Sequence, residues 1–101
     1  MGQVRNAAEV FAEDQRLCIL RILEEAPNCR CNESILHQAL PQYGHDLGRT
    51  KVTALTTWLE EAGLVEVEDL GVVRIARLTE AGEDVALGRT RHPGVKRPRL
   101  A

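Results

Sequence analysis

A chain of 101 residues with 44 % hydrophobic content can bury one modest core, and a single Phe, Trp and Tyr leave that core to Leu, Val, Ile and Ala. It has no apolar run near the ~20 residues of a bilayer span, no secretory-signal core and only three cysteines, so a cytoplasmic protein without disulfides or membrane contact is expected. The formal charge of −2 hides an asymmetry: residues 1–88 carry eight Lys/Arg against fifteen Asp/Glu, and residues 89–101 carry five Lys/Arg and no acid.

Residues 1–6 read as a loose leader. From Ala7 to Ala26 the apolar set Phe11, Leu17, Ile19, Leu20, Ile22 and Leu23 predicts a helix whose consistently polar strip is narrow: Asp14, Arg21 and Glu25. Such a helix is central to its domain or also packed on a partner. Pro27 ends it. Asn32 is a good cap for a second helix from Glu33, carrying Ile35, Leu36, Ala39, Leu40 and Tyr43, which Pro41 stops near Leu40. A glycine-rich turn, Tyr43 to Gly48, leads to a third helix from about Arg49 to Ala62, with Gly63 as its stop. Val52, Leu55, Leu59 and Ala62 form its inward stripe, and Thr50, Thr53, Ala54 and Thr57 the opposite face.

A hairpin follows. Alternation in Val65–Glu68 and Val73–Ala76 around the loop Asp69–Leu70–Gly71 predicts pairs Val67–Val73, Glu66–Arg74 and Val65–Ile75, with all the valines and the isoleucine on one face. Thr79 caps a short last helix, Glu80 to Leu87, closed by Gly88. Residues 89–101, with two prolines and almost nothing to bury, read as a mobile basic tail. The expected organisation is thus an α+β domain at residues 7–88 between a leader and a tail.

Three helices and a two-stranded hairpin are the order of a winged helix-turn-helix, and the wording agrees. Arg16-Leu-Cys-Ile-Leu-Arg-Ile-Leu23 resembles the first core helix of ArsR-like and MarR-like bacterial regulators. Lys51-Val-Thr-Ala-Leu-Thr-Thr-Trp-Leu-Glu-Glu-Ala-Gly-Leu-Val65 resembles their recognition helix and its exit into the wing, and Leu78-Thr-Glu-Ala-Gly82 the segment after it. The ending Gly88-Arg-Thr-Arg-His-Pro-Gly-Val-Lys-Arg-Pro-Arg99 is similar to the tails of small winged-helix proteins of Mu-like prophages.

The resemblance implies a DNA-binding transcriptional regulator whose third helix enters the major groove, with contacts from Arg49, Thr50, Lys51, Thr53 and Thr57. The mostly apolar first helix points to a homodimer, since two-fold symmetry is the common arrangement for such readers. Charge adds Arg89, Arg91, Lys96, Arg97 and Arg99 in the tail, enough for up to about five phosphates. The chain departs from the regulators at Ala54 and Trp58, where they often carry long basic residues, and at the wing, where Glu66, Glu68 and Asp69 would repel phosphate. Those departures favour the other reading, a protein-interaction module of a larger phage assembly, docking through its acidic body or basic tail.

No catalytic constellation is present, so no enzyme is expected. Cys29-Arg-Cys31, with His37 on the next helix, sits where metal-sensing ArsR-like repressors place a Cys-x-Cys pair. One pair is not a complete site, and Cys18 and His45 give no spacing signal, so neither metal nor other cofactor is expected. Trp58 is expected to seal the base of the hairpin.

Overall fold

In the computed structural model, which describes residues 6–99, helix α1 (Ala7–Glu25) starts at a side-chain cap: Asn6 Oδ1 accepts from the N–H of Glu9 at 2.9 Å. Residues 1–5 of the expected leader, and Leu100 and Ala101, lie outside the described residues. Ala26 takes an extended conformation ahead of Pro27 and ends α1. After a 3-10 turn, Pro27–Cys29, strand β1 (Arg30–Asn32) leads into helix α2 (Glu33–Ala39), where Asn32 Oδ1 accepts from the N–H of Ile35 at 2.9 Å. A second 3-10 turn, Leu40–Tyr43, closes on Gly44, whose φ of 89° suits glycine. Helix α3 (Arg49–Glu61), strands β2 (Val65–Asp69) and β3 (Arg74–Leu78), and helix α4 (Glu80–Ala86) complete the regular structure of the described residues.

Among the described residues the result is an α+β fold of four helices and one antiparallel sheet in the order β1-β3-β2. Ile19, Leu20 and Leu23 of α1 pack with Leu36, Leu40, Val52, Leu59 and Ala76 in the centre, so α1 is the central helix. Its first turns differ from the sequence expectation. Phe11 is 58 % exposed and Val10 is exposed beside it, while Glu13 and Gln15 are buried. No helix among the described residues is long and apolar enough to cross a membrane.

Two corrections concern the sheet. β1 falls where the sequence predicts only a connection between helices; three residues are too few to show alternation, and the strand exists because β3 offers an edge, pairing Cys31 with Ala76. The hairpin register differs by three residues from the predicted one: Val65 faces Leu78, Val67 faces Ala76, and Asp69 faces Arg74. The loop is Leu70–Val73, closed by the Leu70 N–H donating to the Val73 carbonyl at 2.8 Å. An odd shift exchanges the faces of a strand. It buries Ala76 and Leu78, leaves Val73 exposed, and brings Arg74 onto the inner face. The predicted register had no use for Leu78, which the observed one buries.

The third correction is the tail. Residues 89–99 run back along the domain: Arg89 N–H donates to the Asp84 carbonyl at 2.8 Å, and Lys96 N–H to the Glu13 carbonyl at 3.1 Å. Val95, at 6 % exposed, joins the core. Gly94 makes the approach possible, because a Cβ there would lie 2.4 Å from the Trp58 ring. Gly94→Ala is therefore expected to lift residues 89–99 off the domain while α1–α4 stay folded, at a cost of about 1–2 kcal/mol from exposing Val95. Trypsin should then cut at Arg89, Arg91 and Lys96 well before it cuts inside the domain; an unchanged cleavage order would contradict the docking.

Candidate nucleic-acid interface

α3 begins without a side-chain cap, at Gly48, and its first turn holds Arg49, Thr50 and Lys51 and no acid. All three side chains are exposed. The first-turn N–H groups of a helix lack intrahelical acceptors and sit at its positive end, so this end combines two cations with free donors. An anionic oxygen is the natural complement.

The threonine face is less open than its sequence implies. Thr53 Oγ1 donates to Glu33 Oε1 at 2.8 Å, and Thr57 Oγ1 donates to the Thr53 carbonyl at 2.8 Å while accepting from Arg74 at 3.3 Å. Both hydroxyl protons are thus spent inside the protein, and phosphate oxygens need donors. Of the five α3 candidates, Arg49, Thr50 and Lys51 remain available as donors.

The centre of that network is Glu33, 1 % exposed at the start of α2, which in the sequence marks only a helix start. Its carboxylate accepts from Thr53, from Thr56 and, at 2.9 Å, from Arg74 Nε. Burial pushes its pKa up, but the hydrogen bonds from Thr56, Arg74 and Thr53 and the charge of Arg74 outweigh it and hold the carboxyl below its ordinary value. Burial at this position follows from Arg74 facing inward, which no alternation pattern in the sequence suggests.

The hairpin acids are matched one by one. Glu66 pairs with Arg77, Glu68 with Arg30 at 3.8 Å, and Asp69 with Arg74 at 3.2 Å. Its tip is apolar, with Val72 96 % exposed. Repulsion between the hairpin and a phosphate backbone is accordingly weaker than three bare carboxylates would give.

Of the tail cations, Arg89 is tied to Glu83 and Asp84 at 3.4 and 3.3 Å, and Lys96 to Asp14 at 3.5 Å. Arg91, Arg97 and Arg99 are exposed and form no ion pair among the described residues. The segment is fixed beside α3 by Trp58, which does not seal the hairpin as expected. The Arg16 guanidinium lies 3.9 Å over the Trp58 ring and donates to the Gly94 carbonyl at 2.9 Å, and the His92 ring meets Trp58 edge-on at 5.5 Å. The tail cations thus sit on a docked segment that flanks α3.

Cys29 and Cys31 gain no third ligand from His37 or elsewhere among the described residues. Burial pushes the Cys31 thiol up to about 11, away from thiolate chemistry. Instead, His45 is brought to Asp14 and Cys18, which lie four residues apart on α1.

The fold and this surface define a small α+β protein presenting a basic helix start between a charge-balanced hairpin and a docked basic segment. No family model matches the chain. It is 47 % identical over 91 residues to the uncharacterized protein gp26 of Escherichia phage Mu, covering 90 % of this chain and 94 % of that protein, and it belongs to the family of that phage protein. An uncharacterized protein of Haemophilus influenzae is also 47 % identical over 62 residues, 61 % of this chain, which spans about 60 % of that relative's length.

Proposed function

We propose that this protein is a winged-helix DNA-binding protein that acts in transcriptional regulation, with α3 entering the major groove. The observation that carries the reading is the exposed, acid-free first turn of α3, with Arg49, Thr50 and Lys51 placed together. The element order, helix–strand–two helices–hairpin, supports it, since a winged helix places its recognition helix just before the wing. Arg91, Arg97 and Arg99 add phosphate contacts from the flank, and Thr53 and Thr57 serve to hold α3 against Glu33 and Arg74. A two-fold dimer suits this reading, and the exposed Val10 and Phe11 give α1 an apolar start to contribute. No enzymatic role is proposed.

The test is binding to a random-sequence duplex across a salt series. The wild-type chain is expected to bind at low salt with a steep slope. Arg49→Ala with Lys51→Ala is expected to lower that slope by about 2, one unit for each phosphate that is no longer neutralised. Binding that is absent at low salt, or untouched by the double substitution, would remove α3 from this role. The interaction-module reading would then lead. An apolar groove of about 570 Å³ between the end of α1, β1 and α2, lined by Ile22, Ile35, Tyr43 and Ile75, favours it.

A further inference from the structure

We propose that Asp14, Cys18 and His45 form a binding site for a zinc ion, joining α1 to the turn that precedes α3. Asp14 and Cys18 are four residues apart on α1 and so lie on one face, one turn above the other. The 3-10 turn Leu40–Tyr43 and left-handed Gly44 deliver His45 to the same point, where the His45 N–H donates to the Leu40 carbonyl at 3.1 Å and fixes the turn. His45 Nε2 is 2.6 Å from Asp14 Oδ2, and Cys18 Sγ is 3.8 Å from that same oxygen. All three ligand atoms lie within 4.8 Å of one another.

Those distances suit a tetrahedral ion. Zinc–ligand bonds of about 2.0–2.3 Å set the ligand atoms roughly 3.3–3.8 Å apart. The sulfur–oxygen pair already fits, the His–Asp pair has to open by about 0.7 Å, and the Cys18–His45 pair, within 4.8 Å, has to close toward about 3.5 Å. The donors select the metal: a thiolate with an imidazole and one carboxylate suits zinc and is foreign to magnesium or calcium. Charge points the same way. Cys18 and His45 are both buried, and a dication with one thiolate and one carboxylate is neutral, so the occupied site buries no net charge.

Binding balances as a simple exchange of proton for metal. The Cys18 thiol loses its proton to solvent, the proton shared by His45 Nε2 and Asp14 Oδ2 leaves so that the neutral ring keeps its proton on Nδ1, and zinc–sulfur, zinc–nitrogen and zinc–oxygen bonds replace three of the ion's bonds to water, with nothing oxidised or reduced. A fourth position remains for water. Without metal, burial and the neighbouring Asp14 hold the Cys18 thiol up to about 11. The other charges facing it are Arg21 on α1 and Lys96 on the C-terminal segment. Lys96 is paired with Asp14 through Oδ1, at 3.5 Å, which leaves Oδ2 for the ion.

The experiment uses the full chain carrying Cys29→Ser and Cys31→Ser, in which Cys18 is the sole thiol, titrated with cobalt(II) as a spectroscopic stand-in for zinc. The expected result is a thiolate-to-cobalt charge-transfer band with the visible bands of a tetrahedral ion, both lost on adding zinc. Affinity should rise about tenfold per pH unit near neutrality, since one thiol proton is displaced. His45→Ala in the same background should remove the tetrahedral bands. If the sole-thiol chain is folded by circular dichroism and shows no charge-transfer band, the proposal is overturned. It is equally overturned if the band appears only when Cys29 and Cys31 are present. Neither outcome depends on whether the protein binds DNA.

Discussion

Glu33→Ala is expected to lower the stability of the protein by about 3–5 kcal/mol, because it removes the buried carboxylate of an ion pair and takes one acceptor each from Thr53, Thr56 and Arg74. The Glu33 carboxylate takes hydrogen bonds from Thr53, Thr56 and Arg74, which lie on α3 and β3, while Glu33 itself opens α2. Its removal unties three elements at one point. Arg74 retains Asp69 and some access to water, which moderates its loss; Thr56 is fully buried and has the Thr53 carbonyl as its remaining partner. Thr56→Val, which keeps the shape and drops one hydroxyl, should cost less, about 1–2 kcal/mol. Urea unfolding measures both, and a Glu33→Ala loss below about 1 kcal/mol would show that water reaches the carboxylate.

The same residue sets an acid limit. The folded protein holds the Glu33 carboxyl below its unfolded value, so the folded state favours the ionised form. That stabilisation is complete above the unfolded value, near ~4.3, and is lost progressively as pH falls through the folded value. In Glu33→Gln this part of the acid dependence should vanish, and the stability curves of the two proteins should converge as pH is lowered.

Gly82→Ala is the second large effect, expected at about 2–3 kcal/mol even though alanine is the better helix former. Propensity alone would give a gain of up to ~1 kcal/mol within α4. Packing decides otherwise, because an added Cβ would fall 2.0 Å from the Leu64 carbonyl oxygen and 2.8 Å from Leu78 Cδ1. The first of these is backbone, which cannot swing aside, so the overpacking cost lies at or above the usual ~3 kcal/mol limit. The Leu64 carbonyl also accepts the Thr79 N–H at 3.1 Å, and Thr79 caps α4 through the Gly82 N–H. Pushing α4 away therefore strains its own cap. At roughly 4–8 °C per kcal/mol for a domain this size, the melting point should drop by well over 8 °C. A rise instead would mean that α4 is free to shift along the start of β2.

The helices were legible in the sequence because their ends are written in single residues: Asn32 before Glu33, Pro27 after Ala26, Gly63 after Ala62, Thr79 before Glu80. The hairpin was not, because Val73 and Ile75 alternate as well as Ala76 and Leu78 do, and only burial of Leu78 and pairing to β1 choose between them. The basic start of α3 was visible from Arg49, Thr50 and Lys51. The partners of Thr53 and Thr57 were not, since they depend on which way Arg74 points. Val95 and Gly94 carried no signal by themselves. A lone valine and a glycine in a charged, proline-containing stretch look like tail until Trp58 and Arg16 are seen to receive them.

That late-sequence clasp bears on how the chain is made. α1 is translated first, yet the segment that covers its flank through Glu13, Arg16 and Trp58 comes some eighty residues later. Until residues 92–96 have left the ribosome, the Trp58 ring and the pocket of Val95 stay wet. The nascent domain therefore carries an unsealed apolar strip from the folding of α1 to α4 until that segment emerges. Messages cut short before His92 would yield products with that strip permanently open, prone to aggregation and to capture by proteases. Closure of this surface thus waits on the emergence of residues 92–96, whatever has folded before them.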